Sequence, residues 1–169
     1  MAITLSEAKL HCRIEQDEDD ALVSDLIVAA VAHIERITGW VTNPQNFQKP
    51  FKNIDKPMRL PHWPVTAVTA IEQVGTSTVN VAANFDVDLT SRPARVTLYD
   101  ALTLDRGEVI RISYTAGETD LPDELKQAAL MLVAHWYENR EAVAVGTISA
   151  DVAMGVNRLL SQFIGLRLS

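Results

Sequence analysis

The chain has 169 residues, a mass of 18.6 kDa and a formal net charge of −7, with 47% hydrophobic and 22% charged residues. This size fits one domain, and the composition excludes a disordered chain, a collagen-like repeat and a coiled-coil rod. The negative charge disfavours nucleic-acid binding, because proteins that bind nucleic acid use basic surfaces to neutralise phosphate.

The first 39 residues are predicted to be helical. Thr4-Leu5-Ser6-Glu7 has the spacing of a capping box, which predicts a short helix over 5–12. Glu15-Gln16-Asp17-Glu18-Asp19-Asp20 then places five carboxylates in six residues, at the start of the next helix, where the dipole favours negative charge. A wide apolar stripe predicts that this second helix covers 19–38, and Gly39 is its expected stop.

The sequence from 40 to 117 is predicted to be β-rich. Six of the seven prolines lie here, valine and threonine are frequent, and helical periodicity is absent. We predict strands at 58–60, 65–74, 84–89, 94–98 and 108–114. Because no helical segment separates them, we expect an antiparallel arrangement rather than βαβ crossovers.

The last part of the chain is again predicted to be helical. Pro122 marks the start of a long helix near 123–140. Its residues 128–137 are apolar on nearly every side, which predicts burial on several sides. The segment 141–155 is irregular in sequence, and a short helix is predicted over 156–164.

These elements predict a single α+β domain over 1–169. Its core is expected to be mainly α-helical, formed by the two N-terminal helices, the long apolar helix near 123–140 and the short C-terminal helix. The antiparallel region 40–117 is expected to be an insertion between the helical parts 1–39 and 118–169.

The sequence contains none of the common phosphate-binding, serine-nucleophile or zinc-protease patterns. The acidic run does not fit a calcium loop, because counting from Asp17 puts Leu22 and Val28 where glycine and glutamate are needed. His33 and His135 are interpreted as buried structural histidines. We therefore expect no catalytic residue, no metal and no cofactor, and we predict that the protein is not an enzyme.

Two features bear on the cellular compartment. The one cysteine, Cys12, cannot form an internal disulfide, which suits a reducing cytoplasm. Glu7 lies where a signal peptide would be apolar, and the apolar stretches 21–34 and 128–137 are too short or too interrupted to span a bilayer. We therefore expect a soluble intracellular protein that does not bind membranes.

Five phrases of the sequence, taken together and in order, resemble one protein family. They are Ile3-Thr4-Leu5-Ser6-Glu7-Ala8-Lys9 followed by the acidic run and Asp20-Ala21-Leu22; Ile34-Glu35-Arg36-Ile37-Thr38-Gly39; Leu60-Pro61-His62-Trp63-Pro64-Val65; Tyr114-Thr115-Ala116-Gly117 with the following Leu121-Pro122-Asp123-Glu124-Leu125-Lys126-Gln127-Ala128; and His135-Trp136-Tyr137-Glu138-Asn139-Arg140-Glu141. Over nearly the whole chain they resemble the head–tail connector, or adaptor, proteins of tailed bacteriophages. The C-terminal residues depart from the family pattern. In the family an aromatic–arginine pair usually closes the last helix, whereas Phe163 is followed here by Ile164.

The resemblance implies a structural component of the virion neck that is assembled in the bacterial host cytoplasm. Such a protein forms a homo-oligomeric ring of about twelve copies, by analogy with the cyclic portal. It binds the portal protein, offers a docking platform to tail or stopper proteins, and lets DNA pass through the channel without sequence-specific binding. An acidic channel wall would repel phosphate. The segment 141–155 and the terminal helix are expected to be mobile in the monomer and to become ordered on the portal.

Subunit or portal contacts are predicted on the second helix, on the long third helix and in the C-terminal segment. Individual residues are chosen because aromatic residues and arginine are enriched in interface hot spots. The predicted contact residues are Trp136, Tyr137, Arg140, Leu159 and Phe163. A core position is the alternative interpretation of Trp136. The alternatives for the function are another neck or tail-completion protein, such as a stopper or tail terminator, and a small enzyme built on His33 and His135.

Overall fold

The computed structural model describes residues 3–54, 56–139 and 150–164, which belong to two compact units. The helical unit is drawn from residues 1–42 and 119–169, and the β unit is formed by residues 43–118. That the whole chain acts as one connector domain stays a prediction.

Four helices form the described part of the helical unit. They are α1 (Leu5–Cys12), α2 (Asp20–Thr38), α3 (Asp123–Glu138) and α4 (Ala150–Ile164). The helix α3 packs against each of the other three. The core of this unit includes Val23, Leu132 and Leu160, whose side chains are fully buried.

Helix α1 is fixed at its start by the predicted capping box. The Thr4 hydroxyl accepts a hydrogen bond from the Glu7 amide at 3.2 Å, and the Glu7 carboxylate accepts one from the Thr4 amide at 2.8 Å. Lys126 of α3 donates a hydrogen bond to the same carboxylate, which joins α1 to α3. This lysine, helped by Thr4, lowers the pKa of Glu7 to about 2.

The prediction of a long helix over 123–140 that is apolar on nearly every side was wrong. The helix α3 has 16 residues and two different faces. Leu125 and Leu132 are fully buried, whereas Gln127 is exposed and Met131 is only half-buried. The residue types of this stretch are apolar, but the other helices cover only one of its faces.

The β unit contains seven strands and one short 3₁₀ helix within its described residues. They are β1 (Gln45–Phe51), β2 (Met58–Arg59), β3 (Val65–Val74), β4 (Thr78–Asn80), the 3₁₀ helix (Ala82–Asn84), β5 (Phe85–Asp88), β6 (Arg95–Leu98) and β7 (Val109–Ala116). One sheet has the order β1-β7-β3-β4 and the other the order β2-β6-β5. Every pairing is antiparallel, as the sequence predicts.

The prediction of a mainly α-helical core was also wrong, because the β unit has a hydrophobic core of its own. Strand β7 is central to it: Ile110, Ile112 and Tyr114 point inward, and the residues between them are half-buried. Ile71 of β3 and Val96 of β6 bring both sheets into the same core. The fold is therefore mixed α+β, with four helices and two antiparallel sheets among the described residues.

Gly117, the residue that follows β7, is a position where any other residue would strain the backbone. Gly117 has a φ of +123°, and its amide donates a hydrogen bond to the Pro64 carbonyl at 2.8 Å. A Cβ atom at this position would lie 2.4 Å from the backbone oxygen of Asn43. The last strand and the start of the unit are therefore in direct contact.

Candidate functional site

His33 and His135 of the helical unit have separate partners. The His33 ring packs edge-on against Trp136, with 6.1 Å between the ring centroids, and its Nδ1 lies 3.1 Å from an Arg36 nitrogen. Burial and the nearby Arg36 lower the pKa of His33, which favours its neutral form. His135 is buried on α3. The side-chain amide of Asn139, the residue that follows this helix, donates a hydrogen bond to the His135 carbonyl at 2.9 Å. These contacts are typical of structural histidines.

The acidic run at the start of α2 covers residues 15–20. Lys9 Nζ lies 2.6 Å from a carboxylate oxygen of Asp17 and 2.6 Å from one of Asp20. The Tyr137 hydroxyl donates a hydrogen bond to Asp19 at 2.6 Å. Within the described ranges, histidine, cysteine and acidic side chains form no group of three that could hold a metal ion.

The predicted contact residues differ in how much surface they leave for a partner. Trp136, Tyr137 and Leu159 are half-buried. Phe163 is only 5% exposed and packs edge-on against Trp40, with 6.4 Å between the ring centroids. Arg140 lies outside the described residues. As an interface, the set stays a prediction.

One ring cluster of the β unit was not predicted from the sequence. Tyr114 of β7 is 1% exposed, and its hydroxyl lies 2.7 Å from Nδ1 of His62. Phe47 of β1 stacks on His62 with 3.8 Å between the ring centroids. The cluster ties the His62-Trp63-Pro64 phrase to two strands of the larger sheet, so it is a structural support for this part of the unit.

We expect the stability of the chain to fall as the pH rises from about 10 to about 12, because burial raises the pKa of Tyr114 to about 12 from the ordinary 10.0. The folded state binds this proton more tightly, so the contribution is complete below pH 10 and is lost above pH 12. A shift of this size corresponds to about 2–3 kcal/mol. Urea unfolding between pH 9 and pH 12 measures it, and Tyr114→Phe is the control, since a steep loss in that variant too would contradict the assignment.

The other face of the larger sheet is polar. Two guanidinium nitrogens of Arg111 donate to Glu72, at 3.1 and 2.8 Å, and both side chains are half-buried. Gln48 and Ser113 lie beside this pair in an open groove of about 690 Å³. Ligand pockets are mostly apolar, so this groove has the character of a hydrated surface or a polar protein contact.

A second polar feature lies on the smaller sheet, where two arginines meet across neighbouring strands. Arg59 of β2 and Arg95 of β6 are directly opposite each other across the strands. The Arg92 guanidinium lies 4.1 Å from the centroid of the Trp63 ring, which holds it in place. Arg59 and Arg95 lie far apart in the sequence, and the pairing of β2 with β6 brings them together.

Comparisons with known proteins give one family and one kind of particle. The family model described as "Head completion protein" matches residues 2–163. The neck of an empty gene transfer agent particle, computed with C6 symmetry, contains a chain of similar fold with a TM-score of 0.73 and 24% identity, over 96% of this chain and 89% of that one. The neck of the native particle, computed with C12 symmetry, gives a TM-score of 0.71 and 26% identity, over 96% and 88%.

The native gene transfer agent virion contains a similar chain as well, with a TM-score of 0.73 and 26% identity, over 96% of this chain and 89% of that one. No curated protein sequence matches. Among the described helices, none is long and apolar enough to cross a membrane.

The prediction of a bacteriophage head–tail connector is confirmed by these findings. The family match covers almost the entire chain and both units. Membership of a family of structural phage proteins supports a role for this chain other than catalysis. The chain belongs to the head completion protein family and is a structural protein of the head–tail neck.

Proposed function

We propose that the chain forms a closed ring at the neck, binds the portal protein and provides the docking platform for tail or stopper proteins around the DNA channel. The observation that carries this proposal is the fold match over 96% of the chain to a neck structure computed with C12 symmetry. Rings of this kind are built from heterologous contacts, in which two different surfaces of each copy meet. About twelve copies then surround the channel.

The proposed contacts include the half-buried Trp136, Tyr137 and Leu159, which keep part of their surface available to a neighbour or to the portal. Arg140 follows Trp136 and Tyr137 in sequence, and Phe163 is buried in the core of the same unit. The net charge of −7 supports passage of DNA without binding, because phosphate is repelled by an acidic wall. Assembly in the host cytoplasm precedes incorporation into the virion neck.

The purified chain is expected to form closed rings, either alone or on its portal. Light scattering over a concentration series gives the mass, and negative-stain images show whether large species are closed. If the chain is monomeric, sedimentation with the portal protein of the same particle replaces the first measurement. A stable dimer without affinity for the portal would contradict the proposal.

A matched pair of alanine substitutions tests whether Trp136 lies at a contact between copies. Trp136→Ala is expected to lower the fraction of chain in rings, whereas Tyr99→Ala removes an aromatic side chain that is 66% exposed on the β unit and should leave that fraction unchanged. Circular dichroism of both variants separates a loss of contact from a loss of folding.

A further inference from the structure

Two helices of the helical unit each expose a large apolar side chain. Val28 of α2 is 60% exposed and Met154 of α4 is 69% exposed. At 3.6 residues per turn, Val28 lies about 140° around α2 from the buried Val23, and Met154 lies about 160° around α4 from the buried Val156. Both side chains therefore point away from the core of the unit.

A charged residue lies one turn away from each of these apolar side chains. Asp25 precedes Val28 by three positions and Arg158 follows Met154 by four, so each pair shares one side of its helix. Asp25 and Arg158 are exposed, and among the described residues neither takes part in a salt bridge. Asp25 and Val28 define the outer face of α2 below, and Met154 and Arg158 define the outer face of α4.

The order of charge and apolar residue along the two helices selects one orientation for a contact between these faces. On α2 the charge comes before the apolar residue, whereas on α4 it comes after it. An antiparallel contact places Val28 against Met154 and Asp25 against Arg158. A parallel contact would place each charge against an apolar side chain. The two spacings along the helix axis, about 4.5 Å and about 6 Å, differ by less than the reach of the Arg158 side chain.

The surroundings of Val28 allow a second helix to come close to α2. Ala29 and Ala32 are exposed on the same helix beside it, and small side chains at a contact permit a short distance between helix axes. Met154 is unbranched, so its side chain can adapt to this shallow surface. The two outer faces are therefore complementary in shape as well as in charge.

We propose that the outer face of α2 in one copy packs antiparallel on the outer face of α4 in the neighbouring copy. The inference rests on the proposed ring and names the two surfaces that meet in it. Because these surfaces differ, the contact is heterologous, and each copy has one of each for its two neighbours, as a closed ring requires. The pair Asp25 and Arg158 fixes the register, and the apolar pair is removed from water.

Charge exchange tests the pairing of Asp25 with Arg158. Asp25→Arg and Arg158→Glu should each weaken self-association about tenfold, because each places like charges together. The chain that carries both substitutions should recover to within about threefold of the parent, because the exchanged pair is again opposite in charge. Sedimentation velocity at low salt measures all three, in the presence of the portal protein if the parent assembles only there.

Two exposed residues outside the outer faces serve as matched controls for net charge. Asp120→Arg lies in the loop before α3, and Arg106→Glu lies in the turn before β7. Both variants should associate like the parent. If they weaken association as much as Asp25→Arg and Arg158→Glu do, or if the double variant does not recover, the proposed contact is overturned.

Disulfide cross-linking tests the apolar pair. In chains that carry Cys12→Ala, Val28→Cys and Met154→Cys are prepared separately, and copper phenanthroline in air oxidises two neighbouring thiols to a disulfide. A covalent dimer is expected in the mixture of the two variants and not in either variant alone, because α2 meets α4 rather than another α2. The chain with both substitutions should give a ladder of covalent multimers. Equal dimer formation in a single variant, or disulfides only within single copies, would contradict the proposal.

These measurements separate the contact from the ring itself. Rings that form in both charge reversals, with no cross-link in the mixture, overturn the contact and leave the ring in place. A parent chain that does not associate, alone or with its portal protein, overturns the ring as well. If Arg158→Glu loses the portal protein and still self-associates like the parent, the outer face of α4 belongs to the portal contact and the proposal fails.

Discussion

Gly117→Ala is expected to lower the free energy of unfolding by about 3 kcal/mol or more, through backbone strain and a steric clash together. The φ of +123° at this position is a region that residues with a Cβ rarely adopt. The new Cβ would lie 2.4 Å from the Asn43 oxygen, and a backbone atom cannot rotate away as a side chain can. Urea unfolding followed by the fluorescence of Trp63, in the same unit, measures the loss.

Gly107→Ala separates the two causes. Gly107 also has a positive φ, +97°, but no heavy atom lies within 4 Å of the position that a Cβ would occupy. Only the backbone strain remains, and we expect a loss of about 1–2 kcal/mol. Equal losses in the two variants would show that the close approach to Asn43 contributes nothing.

Phe163→Ala is expected to destabilise the isolated chain by about 3–5 kcal/mol, the usual range for removing a buried phenylalanine. The side chain is 5% exposed, and its ring packs edge-on against Trp40 with 6.4 Å between the ring centroids. The loss should already be present under conditions in which the chain is monomeric. An isolated chain of unchanged stability that no longer forms rings would show instead that Phe163 acts as a contact residue.

Met154→Ala on the same helix is the matched control for this truncation. Met154 is 69% exposed, so its removal should change the free energy of unfolding by no more than about 0.5 kcal/mol. The difference between the two variants reports burial rather than helix propensity, since both introduce alanine into α4.

Elements with strong local signals were predicted well from the sequence. The second helix was predicted over 19–38 and spans Asp20–Thr38, because an acidic start, a wide apolar stripe and Gly39 all act within one segment. The strand predicted over 65–74 coincides with β3 for the same reason, since its β-branched residues lie between turn-forming sequences.

Elements that depend on distant partners were missed. Strand β1 contains Pro50 and several polar residues, and it is a strand because it pairs along its whole length with β7, more than fifty residues away. Its Phe47 and Phe51 do lie on one face of the strand, a period-two signal that the proline conceals. The failed expectation of a long apolar helix has a related origin, because residue type alone does not show which face of α3 is covered.

The same limit applies to the candidate surfaces. His62 and Tyr114 are 52 positions apart, and no local pattern links a histidine to a distant tyrosine. Arg59 and Arg95 are neighbours only through the register of β2 and β6. The family resemblance found the function through the order of five short phrases, but it gave no geometry for the surfaces that perform it.

The contact between Gly117 and Asn43 has a consequence for how such chains diversify. The polypeptide enters and leaves residues 43–118 at nearly the same point. A segment whose ends coincide can be exchanged, lengthened or shortened without rerouting the chain on either side of it. Residues 43–118 can therefore be exchanged as one piece. A chimaera that takes this segment from another member of the family would carry a new surface on an unchanged set of helices.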